Sequence, residues 1–190
     1  MTPSLPQEAP AFPGVRIARE TDEVALFSLL TLMHAENGLF PMAPEKVLER
    51  MRLGTRGQGG VIGVIDGPEG IEASIGLFIS QFYYTNSHHL EDAWSFVHPD
   101  HRHSTHAKRL LQFAKWTQKK MGIPLLTGVL TRIRLAPKMR LYQRELTQAG
   151  AIFLEGFPTD GFFEQRAVPA SSSKRDVERA AAGNRPHRAA

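Results

Sequence analysis

Trp94-Ser-Phe-Val-His-Pro-Asp-His-Arg-His-Ser-Thr-His-Ala-Lys-Arg-Leu-Leu-Gln-Phe-Ala-Lys-Trp116 is the stretch around which the rest of the chain is read. It opens on an apolar run, Trp94 to Val97, and Pro99 ends that run because proline has no N–H to give to a sheet ladder. It closes on Ala107, Leu110, Leu111, Ala114 and Thr117, which recur at the helical period until Gly122. Between the two lies a bend crowded with cations and hydroxyls. A helix that starts directly after a bend presents unpaired backbone N–H groups and the positive end of its dipole, a natural seat for phosphate.

Upstream of this stretch, Val15 to Ala18 alternates as a strand does, and Thr21 before Asp22 and Glu23 signals a helix carrying Val24, Phe27, Leu30 and Met33. Asn37-Gly38 stops it, and Pro44-Glu45 opens a second helix. Gly60 to Ile65 and Ile71 to Phe82 flank a turn cluster and read as an antiparallel hairpin. Asn86 to His89 reads as a loop before the strand Ala93 to Val97. Downstream, Leu125 to Leu130 predicts a strand and Lys138 to Gln148 a helix; Ala151 to Leu154 with Phe162 to Val168 predicts a closing pair. The order predicts an α/β domain with a mixed, mainly antiparallel sheet of about seven strands flanked by about four helices.

The chain of 190 residues is one domain's worth of sequence. Residues 1–14, proline-rich, predict a flexible lead; 15–168 the folded domain; 169–190 a disordered basic tail. The absence of cysteine removes disulfides, thiolate metal sites and a cysteine nucleophile together. No apolar run approaches the roughly 20 residues that span a bilayer, and the N-terminus has no signal-peptide order. The expectation is a cytoplasmic protein with no membrane partner. Of the formal charge of +4, +3 falls after Ala167, so the folded body is nearly balanced and is not expected to bind nucleic acid. Self-association into a homodimer is left open.

Val97-His-Pro-Asp-His-Arg-His-Ser-Thr-His-Ala107, after the fourth strand in this order of elements, resembles the GNAT superfamily of acetyl-CoA-dependent N-acetyltransferases. The family signature [QR]-x-x-G-x-[GA] corresponds to Arg102-His103-Ser104-Thr105-His106-Ala107, with Thr105 where glycine is usual. The resemblance implies that acetyl-CoA is a co-substrate. Its pyrophosphate would meet the backbone N–H groups of His103 to Ala107, with Arg102, Lys108 and His103 or His106 adding charge, and its pantetheine arm would lie beside Ser95, Phe96 and Val97. A backbone N–H near Ser95 or Phe96 would hold the thioester carbonyl. Lys138-Met-Arg-Leu-Tyr-Gln-Arg144 resembles the family's late helix, which implies that Tyr142 protonates the departing thiolate. A phenol with a pKa near 10 keeps its proton at neutral pH.

The implied function is transfer of acetyl from acetyl-CoA to a primary amine of an unidentified small molecule or peptide by direct attack. Glu91, eleven residues before Arg102, matches the interval at which the histone-acetylating branch places a glutamate, and strand alternation would put it on one face with Ser95 and Val97. It is the candidate base. His34, Glu36 and Asn37, ending the first helix, are candidates for the acceptor site. No metal site is expected, although His88, His89, Glu91 and Asp92, and also His98, His101, His103 and His106, lie close in sequence. The alternative is a non-catalytic binding or regulatory protein on the same scaffold that touches nucleic acid through its basic tail.

Overall fold

The computed structural model describes residues 14–131, 133–153 and 155. The elements run β1 (Arg16–Ile17), a 3-10 turn (Glu20–Asp22), α1 (Glu23–Asn37), α2 (Pro44–Thr55), β2 (Gly60–Gly67), β3 (Gly70–Gln81) and β4 (His88–Val97). A second 3-10 turn (Pro99–His101), α3 (His106–Met121), β5 (Leu125–Leu126) and α4 (Leu135–Glu145) follow. The strands form one sheet in the order β1-β2-β3-β4-β5, antiparallel up to β4 and parallel between β4 and β5.

Alternation along the central strands divides the core in two. Val61, Ile65, Ala73, Ile75, Leu77 and Leu90 face α3, whose Leu110, Phe113 and Ala114 fill that side. Ile62, Val64, Phe78 and Trp94 face Leu26, Phe27 and Leu30 of α1 and Met51 of α2. α3 comes close to the sheet over Gly63, where a Cβ would stand 2.7 Å from the Phe113 ring. Gly122 ends α3 in the left-handed conformation (φ 66). The buried Trp94 spends its indole N–H on Ser74 Oγ at 3.1 Å, so its place is packing.

Arg16 ties the start of the domain together. Its guanidinium donates to Asp22 at 2.7 and 3.0 Å and to Asp66 at 2.5 and 2.7 Å. These bonds to the charged guanidinium hold the Asp22 carboxyl below its ordinary range.

The described residues hold five strands, not seven. The predicted strand Leu125 to Leu130 shortens to Leu125–Leu126 because the chain then parts from β4, and the Gly128 N–H goes to the Asp92 side chain at 3.0 Å instead of to a strand carbonyl. Of the predicted closing pair, residues 151–153 form no strand, while 154 and 162–168 lie outside the described residues, as do most of the predicted lead and all of the predicted tail. β4 starts earlier than predicted and absorbs His88 and His89. α4 also starts earlier, because Pro137 in its first turn lacks only an N–H that would have no acceptor within the helix. No helix among the described residues is long and apolar enough to cross a membrane.

Candidate active site

β4 and β5 pair only at Leu90 with Leu125 and Glu91 with Leu126, supported by Leu90 N–H donating to Pro124 O at 2.8 Å. Past that point the strands separate, and among the described residues the 93–97 edge of β4 has no strand partner on that side. The gap is lined from β4 by Asp92 and Ser95, from the chain after β5 by Thr127, and from α4 by Lys138 and Tyr142.

Lys138 and Tyr142 are one helical turn apart and so lie on one face of α4, with the ammonium 5.8 Å from the ring centroid. Lys138 Nζ donates to Ser95 O at 3.4 Å, and Arg102 Nε donates to Val97 O at 3.4 Å. In an antiparallel strand the N–H and C=O of one residue point to the same edge. The N–H groups of Ser95 and Val97 therefore face the gap, and that of Phe96 faces β3. Phe96 is itself buried, with the Arg102 guanidinium 5.6 Å above its ring.

Burial dominates the electrostatics here. It pushes the Tyr142 phenol above its ordinary range, and the negative charge of Asp92 adds to that, against weaker opposing effects of Ser95 and Thr127. Burial also raises the Asp92 carboxyl, against the Gly128 N–H and the nearby Lys138, and lowers the Lys138 ammonium, against the charge of Asp92. Thr127 Oγ1 lies near both Asp92 and Tyr142 but makes no hydrogen bond of normal geometry.

The register of β4 overturns one expectation. Gly76 faces Trp94 and Leu77 faces Asp92, so Ala93 is an extra residue and the strand carries a bulge. Alternation is broken there. Asp92, opposite Leu77, joins Ser95 and Val97 on the face that α3 covers, while Glu91, opposite Phe78, falls on the α1 and α2 face. Glu91 thus does not share a face with Ser95 and Val97. It is half-exposed, and its neighbour is His89 Nε2 at 3.5 Å.

The turn before α3 is held by its own polar groups. Ser104 N–H and Oγ donate to His101 O at 3.1 and 2.5 Å, and Ser104 Oγ accepts the His106 N–H at 3.2 Å. The helix ladder begins with Arg109 N–H on Thr105 O, which leaves the N–H groups of Ala107 and Lys108 for another acceptor. Thr105 has φ −86, so no positive φ requires a glycine there, and its side chain is exposed. His103 and Lys108 are exposed cations or potential cations beside it.

Two residues expected to offer side-chain charge are otherwise engaged. The Arg102 guanidinium pairs with Glu36 of α1, where the two side chains are 18% and 8% exposed. The His106 ring is turned to Glu72, with Nε2 2.6 Å from Oε2. The end of α1 is thereby used for construction: Glu36 holds Arg102, and Asn37 Oδ1 accepts from Thr131 Oγ1 at 2.9 Å. His34, one turn before the end of α1, caps it through its carbonyl, which accepts the Gly38 N–H at 2.7 Å.

Asp92, Thr127 and Lys138 are absent from the set that sequence reading assembled. Lys138 could have been found from its spacing of four before Tyr142. Asp92 could not, because its face depends on a bulge that only the partner strand reveals.

No family model matches the chain, and no curated protein matches its sequence. Solved structures do match in fold. A predicted acetyltransferase with acetyl-CoA from Clostridium acetobutylicum superposes with a TM-score of 0.61 at 15% identity, covering 74% of this chain and 93% of its own. A ribosomal-protein-alanine N-acetyltransferase from Brucella melitensis gives 0.56 at 13%, with 75% and 99% covered. Glucosamine-6-phosphate N-acetyltransferase from Arabidopsis thaliana gives 0.56 at 16%, with 75% and 96% covered.

Proposed function

From the GNAT acetyltransferase fold that this chain adopts, we propose that the protein is an N-acetyltransferase that moves acetyl from acetyl-CoA to a primary amine. The observation that carries the reading is the buried phenol of Tyr142, set beside Ser95 in the gap where β4 and β5 part.

Acetyl-CoA fits the residues present. The open edge of β4 offers the Ser95 and Val97 N–H groups to an extended amide-bearing chain, as an added strand would use them. The first turn of α3 offers the Ala107 and Lys108 N–H groups, flanked by His103 and Lys108, to a pyrophosphate. Thr105 places its hydroxyl at the same turn, where it adds a donor. When bound, the donor supplies a thioester acyl group and a thiolate leaving group.

The chain's own residues divide the proton work. Tyr142 keeps its proton at Oη because burial and the Asp92 charge both disfavour the phenolate, so it is an acid available to an anionic leaving atom in the gap. The Ser95 or Val97 N–H, turned to the same gap, holds a carbonyl oxygen as negative charge builds on it. An ammonium must lose a proton before it has a lone pair to attack with. Glu91, half-exposed on the α1 and α2 face, is the group assigned to take it, and the end of α1 around His34 borders the acceptor on that face. Arg102 and Glu36 position the turn and are not ligands to the phosphate in this arrangement.

Titration calorimetry of the full chain with acetyl-CoA in low salt tests the reading. Binding in the micromolar range is expected, weakening as salt rises. Heat absent up to millimolar cofactor would overturn the assignment.

A further inference from the structure

At the far side of the turn, three side chains from three elements converge: Glu72 from β3, His101 from the 3-10 turn and His106 from the first residue of α3. Glu72 Oε2 lies 2.6 Å from His106 Nε2 and 3.4 Å from His101 Nδ1, and one ligand atom from each residue falls within 4.8 Å of the other two. The side chains of His106 and Glu72 are 11% and 14% exposed, and that of His101 is 39% exposed, so the cluster is closed on the protein side and opens to solvent past His101.

Glu72 is brought there by the backbone. Ile65 faces Ala73 and Asp66 faces Ile71, which makes Glu72 the extra residue of a bulge in β3. Its carboxylate lies over Gly67, where a Cβ would stand 1.7 Å from Oε1. Any side chain at position 67 would push Glu72 aside.

We infer that Glu72, His101 and His106 form a binding site for a divalent d-block cation such as zinc, with water in the fourth position. Two imidazoles and a carboxylate are a donor set suited to that class of ion, and the absence of cysteine leaves imidazole and carboxylate as its strongest donors. Tetrahedral bonds of about 2.0–2.1 Å put ligand atoms about 3.3–3.5 Å apart. The His101 to Glu72 distance already fits; the His106 to Glu72 hydrogen bond opens by several tenths of an ångström as the ion replaces the shared proton. Coordination through Nε2 leaves the ring proton of His106 on Nδ1, which is buried without a partner. A partner at that position is worth about 10- to 100-fold in metal affinity, so binding is micromolar rather than tighter. The site is independent of the acyl-transfer reading and stands without it.

The test is competition for zinc between the untagged full chain and a chromophoric chelator, with cobalt absorption as a second readout. One zinc per chain at micromolar affinity is expected, with tetrahedral d–d bands for cobalt. His101→Ala, at a half-exposed position, and His106→Gln should each weaken binding at least about tenfold. Gly67→Ala should weaken it too, although it removes no ligand atom, because it displaces Glu72. His88→Ala should bind as the unaltered chain does. Binding no tighter than millimolar, or equal affinity in His101→Ala and His88→Ala, would overturn the site.

Discussion

Between His103 and Lys108 the chain leaves His103, Ser104, Thr105, Ala107 and Lys108 exposed, whereas in the gap between β4 and β5 Tyr142 is buried and Asp92 and Lys138 are half-buried. Both regions gather polar groups at one end of the same sheet, and water separates their behaviour. At the turn, solvent screens each charge, so several weak contacts must act together on an anion. In the gap, burial displaces all three titratable groups from their ordinary ranges, and the charge of Asp92 adds to the shift of Tyr142 while it and Lys138 partly offset one another's. On the proposed function, the turn sets affinity and the gap sets rate. That division can be broken by substitutions on either side.

The largest effect is expected in the gap. Tyr142→Phe removes one hydroxyl and leaves a ring of the same shape in a buried site, so packing is nearly retained. If the phenol supplies the proton, turnover falls by about 10²–10⁴ while the acetyl-CoA dissociation constant stays within about twofold. Steady-state rates with a reactive amine and calorimetry on the same variant check both halves. Unchanged turnover would reduce Tyr142 to an anchor for α4.

The outline that places this tyrosine was legible in the sequence wherever the signal was local. Pro99, the helical recurrence from Ala107 to Thr117 and Gly122 fix β4, the turn and α3 through short-range physics, and the structure has them there. What the sequence concealed depends on residues far apart. Arg102 reads as a free cation until Glu36, 66 residues away, is brought against it. Glu91 and Asp92 lie on opposite faces by alternation alone, which assigns Glu91 to the face of Ser95 until the β3 register puts a bulge at Ala93 and gives that place to Asp92. Leu125 to Leu130 reads as a strand because its composition is strand-like, yet Asp92 takes the Gly128 N–H and ends the pairing. Glu72, His101 and His106 are separated by a hairpin strand and a turn, and the two histidines alone gave no reason to expect a carboxylate between them.

A smaller and opposite effect is expected at the turn. Lys108→Ala and His103→Ala remove exposed side chains whose contacts with a phosphate are shared with solvent, each worth about 0.2–1 kcal/mol. Each should weaken acetyl-CoA binding by a few-fold and flatten its salt dependence, with turnover at saturating cofactor unchanged. A loss of turnover in Lys108→Ala would show that the turn also positions the reacting atoms, and the separation of affinity from rate would fail.

The finest test asks whether the gap acts as one electrostatic unit. If Tyr142 is the acid, the rate requires the protonated phenol and declines as pH passes the pKa of Tyr142. That pKa stands above its ordinary value first because of burial and second because of the Asp92 charge. Asp92→Asn keeps an oxygen to accept the Gly128 N–H, so the parting of β4 and β5 is preserved, but it removes the charge. Only the second cause is lost. The alkaline limb of the rate profile should therefore move to lower pH and still lie above that of a tyrosine in water. The same substitution removes the one charge that holds the Lys138 ammonium up against burial, so Lys138 loses its proton at lower pH than before. Chemical modification of Lys138 by an amine-selective reagent, followed against pH, reads that second shift separately. An alkaline limb that stays in place while Lys138 moves would mean that the proton limiting the rate is not carried by Tyr142.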